Sequence, residues 1–407
     1  MKLSSNVVSV FTGVLSEFGF IEHMATADPI ARLEYVSANA NFTPMTVNLG
    51  GDHLPVYNEW SQFFVLQQNK PFMVKTDGTA DYELDSNDYT KKVDGTASDV
   101  TNSSYVGGAF AWFPKVYTYQ YIDGDDRYVY YSSTKKDDNY VATGFFNSNG
   151  QELEGLWIPL FYGTEVTQSG VAKLTSLAFG KPTHDRSVPT QKTYIDNLSP
   201  NARFFGGPIV NIISDMLMML GKNADIQAVF GTGNCSAGDG ASYMKDNACI
   251  SGGAFYGTST NRNLNKVFHS LVPITQNQSQ RDPYTISVGG TIKFSSNYSY
   301  DISGGTYQSV GFSHGNISSW VYPNKHVVVD GFGAVPVSPY GGSTTTGDCD
   351  AFAIAGSGTK VAMRYCSCDA GKIGGPKCLD LRHDASVTYW TTGASVMILP
   401  PVGYKPF

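Results

Sequence analysis

Apolar and polar positions along this 407-residue chain change their period several times, and each change predicts an element. Val8, Phe11, Val14, Leu15 and Phe18 recur at three- and four-residue intervals, the spacing of one face of an α-helix. That face predicts an amino-terminal helix that either packs on a core or anchors the chain to a larger particle. From 71 to 99 the sequence reads PFMVKTDGTADYELDSNDYTKKVDGTASD, with Asp77-Gly78 and Asp94-Gly95 as hairpin-type turns between short runs. In the following AFAWFPKVYTYQYIDGDDRYVYYS, Asp123-Gly124 lies between two Tyr-rich runs and predicts a hairpin of half-buried strands. Asp123, Asp125 and Asp126 lack the Gly and distal Glu of a calcium loop, so they read as a solvated turn.

The plainest helix signal is IVNIISDMLMMLGK, with Pro208 at its start and Gly221 at its stop. Ile209, Ile212, Ile213, Met216, Leu217 and Leu220 form a broad apolar stripe that reads as core-facing. Beyond Gly221 the chain is short strand-like runs broken by Gly, Asn and Ser, and no fixed-period repeat is found.

Composition narrows the function. Charged residues are 15% of the chain, against roughly 25% in ordinary globular proteins. The balance is made up by Gly, Ser, Thr, Asn and Tyr, residues suited to assembly or adhesion surfaces. A formal charge of −7 argues against a nucleic-acid binder, which carries a basic stripe. Met1, Lys2, the apolar run 7–15 and Ala25-Thr26-Ala27 imitate a secretory signal, but Glu17, Glu22 and His23 interrupt it, so the segment is expected to stay in the mature protein. No apolar run approaches the roughly 20 residues of a membrane span.

Six cysteines, at 235, 249, 349, 366, 368 and 378, form no C-x-x-C pair. Cys366 and Cys368 would share one face if they lay on a strand. The four between 349 and 378 could bind zinc, but disulfides or plain buried thiols are the preferred reading. Catalytic signatures are missing: there is no G-x-S-x-G elbow, P-loop, H-E-x-x-H helix or dinucleotide fingerprint. His184-Asp185-Arg186 is the most enzyme-like cluster, though neighbours on a strand point to opposite faces. A polysaccharide hydrolase built on two distant carboxylates stays open as an alternative. Binding is better supported, by GGSTTTG at 341–347 and by Tyr389-Trp390, which combine rigid aromatic area with adaptable hydrogen bonding.

Several segments resemble a known family. AWFPKVYTYQY is similar to the strand written I-P-K-F-Y-Y-K in phage tail and head-fibre proteins, and the 71–99 segment resembles what precedes it there. Ser214, Asp215 and Leu217 with Gln227, Gly231 and Gly233 are similar to their L-L…Q-x-x-x-G-x-G region. GGSTTTGDCDAFAI and CLDLRHDASVTYWTTGASVMILPP resemble the carboxy-terminal G-G-S…A-S-x-x-x-W-x-x-G-A motif of phage lectin-like structural proteins. The likeness runs from about residue 71 to 407. It implies an α+β, mostly β fold: a C-type-lectin-like domain with one main helix over 101–407, preceded by a smaller attachment and oligomerisation region over 1–100. It also implies trimers, and a receptor-binding face carried onto Thr344, Thr345, Asp348, Arg364, Tyr365, Asp384 and Tyr389. Phe268-His269-Ser270 stands where relatives read E-N-x-W-G-N; that motif is absent, and no metal or cofactor is expected.

The expectation is therefore a bacteriophage virion structural protein without enzymatic activity, a fibre or adhesin contacting host cell-surface polysaccharide or protein. Phe11, Val14 and Leu15 would attach it to other virion proteins. The alternative role is head-fibre, collar or capsid decoration.

Overall fold

Alternation of side chains builds the first sheet. In Glu17–His23, Phe18, Phe20 and Glu22 are buried, while Glu17, Ile21 and His23 are partly exposed. The strand pairs antiparallel with Leu33–Ser37 on one side and Asp126–Ser132 on the other, and Tyr117–Asp123 completes four strands. The computed structural model describes residues 16–250, 252–259 and 261–407. Of the expected amino-terminal helical stripe, Phe18 lies in this strand, a correction; Val8, Phe11, Val14 and Leu15 lie outside the described residues. The hairpin at Asp123-Gly124 forms as expected, with Gly124 at φ +62°. Its outward tyrosines, Tyr119, Tyr121, Tyr128 and Tyr130, stack into a ladder, the Tyr121 and Tyr128 rings 4.6 Å apart and 2° from parallel.

The second sheet has seven strands, and its middle is Gly107–Pro114, buried at all eight positions. Burial on both faces explains why its sequence does not alternate. Pro71–Lys75 flanks it on one side and Gly155–Pro159 on the other. The Asp77-Gly78 turn connects Pro71–Lys75 to Ala80–Asp85; a Cβ on Gly78 (φ +83°) would lie 2.5 Å from the Leu399 carbonyl oxygen. Because 71–75 pairs with 107–114, the boundary expected at residue 100 runs through this sheet. One continuous core reaches from Phe18 to Leu399.

Pro208–Gly221, the central helix, is buried at every position but Asn211. The expected stripe is thus one part of a helix buried on every side, whose remaining side carries Asn211, Ser214 and Asp215 into hydrogen bonds and an ion pair. Each of its fully buried Ile, Leu and Met side chains contributes about 1.5–3 kcal/mol. Val188–Leu198 is a second helix of 11 residues, capped by the Ser187 side chain.

The third sheet takes the order Gln308–Ser313, Thr291–Phe294, Ser279–Val288, Thr359–Arg364, Leu379–Leu381, Phe352–Ile354 and Ile317–Val321, and Thr392–Gly393 adds to Ser279–Val288 in parallel. One face covers a separate core that includes Phe294, Phe352, Ile354, Leu379 and Leu381. The C-type-lectin-like domain with one main helix is overturned by this architecture. Among the described residues, 34% are strand and 13% helical, in several sheets with five short helices. The physical reason is that the described strands form sheets of four, seven and eight strands and three of two, the first two large sheets sharing one core with the central helix and the eight-stranded sheet covering another.

Candidate ligand-binding cleft

The face of the third sheet turned away from its core carries an open depression lined by aromatic and polar side chains. In Leu379–Leu381, Leu379 and Leu381 enter the core, so alternation sends Asp380 to the opposite face. In Ile317–Val321, Ile317 and Val321 pack on that core, and Trp320 is sent outward the same way. Across the sheet Asp380 stands opposite Met363, which stands opposite Arg281. Trp320, Met363 and Asp380, with the loops 366–373 and 383–391, enclose a cleft of about 420 Å³ whose lining also includes Asp369, His383, Tyr389 and Trp390.

Its polar groups are held in place. Arg382 grips Asp380 with two bonds, Nε to Oδ1 and Nη2 to Oδ2, both 2.9 Å, while its guanidinium lies 4.2 Å from the centre of the Trp320 ring. His383 Nε2 is 3.4 Å from the same carboxylate, and its ring stands perpendicular to Tyr389 at 6.1 Å. Burial would raise the Asp380 carboxyl, but its bonds to His383 and Arg382 outweigh that and hold it below the usual range. Asp380 is thus a fixed acceptor, not a proton-donating acid. Trp390 packs on Met244 and Cys368, and Tyr389 is half exposed. Flat aromatic faces beside fixed acceptors and donors suit a sugar ring, whose C–H face stacks while its hydroxyls bond at the edge.

Of the seven residues carried over from the resemblance, the cleft takes in only Tyr389. Asp384 is exposed at its margin, bonded to Lys360 at 2.8 Å. Thr344 and Thr345 lie in the separate loop 343–346, where Ser343 Oγ accepts from the Thr345 N–H. Asp348, Arg364 and Tyr365 are buried and unavailable to a receptor, which corrects their assignment. Arg364 is the partner of Asp282 (3.0 Å), whose other oxygen accepts the Gly207 N–H at the entrance to the central helix. The Tyr365 ring is interior packing. Sequence reasoning singled out Trp390 with Tyr389 but missed Trp320, Asp369, Asp380 and His383. A Trp in the short strand ISSWV, beside two serines, was the available signal.

Asp348 belongs to a buried ionic network that ties the first sheet to the central helix and to loops of the carboxy-terminal half. Glu22 accepts from Arg32 Nε at 2.8 Å and from Arg127 Nε at 2.7 Å; Arg127 also holds Asp215 in a two-bond fork at 2.8 and 2.9 Å. Asp348 accepts from Lys377 Nζ at 2.8 Å and meets His326 Nε2 at 2.7 Å. Burial would raise Glu22, yet Arg127 and Arg32 hold it well below the usual carboxylate range. Glu22, His326 and Asp348 place donor atoms within 4.8 Å of one another, a trio that could in principle hold a metal. Each carboxylate is already paired with cationic side chains, so the trio fits a salt-bridge network better than a metal centre. A smaller buried group sets Lys266 Nζ 2.9 Å from the Tyr89 hydroxyl, itself 2.6 Å from His269 Nδ1. Burial without a carboxylate partner pulls the Lys266 ammonium down to about 7. His184 and Asp185, the enzyme-like pair, are joined at 2.6 Å in an exposed loop, not on a strand.

No family model and no curated protein matches this chain.

Proposed function

We propose that this chain is a structural protein of a bacteriophage particle that acts as an adhesin, its cleft taking a saccharide of the host cell surface. The observation that carries the binding reading is the cleft itself, with Trp320, Tyr389 and Trp390 around the fixed Asp380–Arg382–His383 cluster. The phage reading rests on the resemblances of 111–121 and the carboxy-terminal motif, and on the low charge of the chain. Weak single contacts would be multiplied across a homotrimer and many copies on one particle. Purified protein applied to a panel of immobilised bacterial surface polysaccharides tests this. Trp320→Ala and Tyr389→Ala should each weaken capture by about tenfold, the ~1–1.5 kcal/mol of one aromatic contact, with the unfolding midpoint little changed. Capture unaffected by both substitutions, or no capture by any polysaccharide, would remove the cleft from the reading. The decoration role is the second reading, favoured by the outward tyrosine ladder of the first sheet, a flat aromatic face of the kind protein interfaces use.

A further inference from the structure

We infer that Cys366 and Cys378 form a disulfide that pins the loop 367–377 beneath the cleft. In the structure both are thiols, and their sulfurs lie 2.7 Å apart, inside the distance that two unbonded sulfurs keep. The fold brings them together. Thr359–Arg364 and Leu379–Leu381 are paired up to Arg364 opposite Leu379, and the two cysteines lie just beyond the open end of that ladder. Tyr365 and Cys366 then adopt φ of +70° and +58°, a left-handed turn that residues with side chains rarely make. The loop closes tightly over the pair: a Cβ on Gly374 would meet the Cys366 Cβ at 2.6 Å. Cys366 and Cys368 do not share a strand face as their spacing suggests, because the strand ends before them, and Cys368 packs on Ala237 and Met244 instead. A zinc site is the poorer reading of the pair. Two thiolates on one zinc stand about 3.8 Å apart, from two ~2.3 Å bonds at a tetrahedral angle.

The reaction needs an oxidant, and a low-molecular-weight disulfide supplies it. Cys366 lines the cleft, whereas Cys378 has no exposed surface and burial, with Cys366 beside it, raises its thiol well above the ordinary range. The Cys366 thiolate attacks one sulfur of the small disulfide, and the first thiol leaves with the proton that Cys366 gave up. Cys378 then attacks the mixed disulfide at Cys366, loses its own proton, and releases the second thiol. One protein disulfide and two small thiols result, so electrons and protons balance.

The test uses the whole chain, incubated folded with oxidised glutathione, then denatured, alkylated, digested with trypsin and mapped by mass spectrometry. The expected result is a cross-linked peptide joining 365–372 to 378–382, two fewer alkylated thiols than in the reduced chain, and a higher unfolding midpoint. Cys368→Ser should leave the cross-link in place, and Cys378→Ala should abolish both the cross-link and the rise in midpoint. Full alkylation of Cys366 and Cys378 after oxidation, or pairing of Cys378 with Cys368 or Cys349, would overturn the inference. These readouts do not involve saccharide capture, so they stand or fall separately from the adhesin reading.

Discussion

Arg127 lies between Glu22 and Asp215 with no exposed side-chain surface, whereas Arg382 at the cleft holds Asp380 just as closely but is 24% exposed. The bond lengths are nearly the same, 2.7–2.9 Å at Arg127 and 2.9 Å at Arg382. What differs is what is left when one partner goes. Removing Arg127 strands the Asp215 carboxylate in a medium that cannot solvate it and leaves Glu22 with Arg32 alone; removing Arg382 leaves Asp380 beside the open cleft and His383. Distance therefore says little about the energetic weight of an ion pair, and burial says most of it.

The largest effect that can break this comparison is expected from Arg127→Ala, a loss of about 3–5 kcal/mol of folding stability in denaturant titration. A loss under ~1 kcal/mol would mean that water reaches the network and that the two regions are alike. A smaller effect is expected with acid. Glu22 is held below its ordinary value only in the folded state, so the unfolded chain takes up a proton that the folded chain refuses. The stabilisation is present above the unfolded value, near 4.3, and is lost as pH falls through the folded value, at ~1.4 kcal/mol for each unit of depression. Unfolding midpoints followed from pH 6 downward should fall steeply below about pH 4.5, and Glu22→Gln should flatten that slope. The smallest effect is expected from Arg382→Ala, within about 1 kcal/mol of the parent in stability, because its pair is reached by solvent. A larger loss would place the cleft cluster in the same class as the network.

Some of this was legible in the chain and some was not, for reasons that differ by element. The central helix shows in sequence because its apolar positions, Pro start and Gly stop are local. The hairpin at Asp123-Gly124 shows for the same reason. Val188–Leu198 escaped because only Val188, Gln191, Ile195 and Leu198 are buried, and one of these is polar. The amino-terminal stripe misled at Phe18, since EFGFIEH alternates and its true partners, Leu33–Ser37 and Asp126–Ser132, are remote in sequence. Asp348 and Arg364 were placed on a binding face by the resemblance alone, which does not show what each side chain meets in this fold. Their partners, Lys377, His326 and Asp282, are unreadable until the sheets bring them together. The lectin-like fold failed on the same ground, for a few short motifs do not specify how apolar strands divide among sheets.

The tyrosine ladder has an optical consequence. The Tyr121 and Tyr128 rings overlap in parallel at 4.6 Å, with Tyr119 and Tyr130 stacked beside them at 5.9 Å, so their electronic transitions are coupled and not independent. Coupled transitions held in a twisted sheet rotate polarised light strongly in the near ultraviolet. The coupling exists only while the strands of the first sheet are in register, so the ladder contributes, beside other aromatic pairs such as Trp112–Trp157, to the near-ultraviolet signal lost when they part.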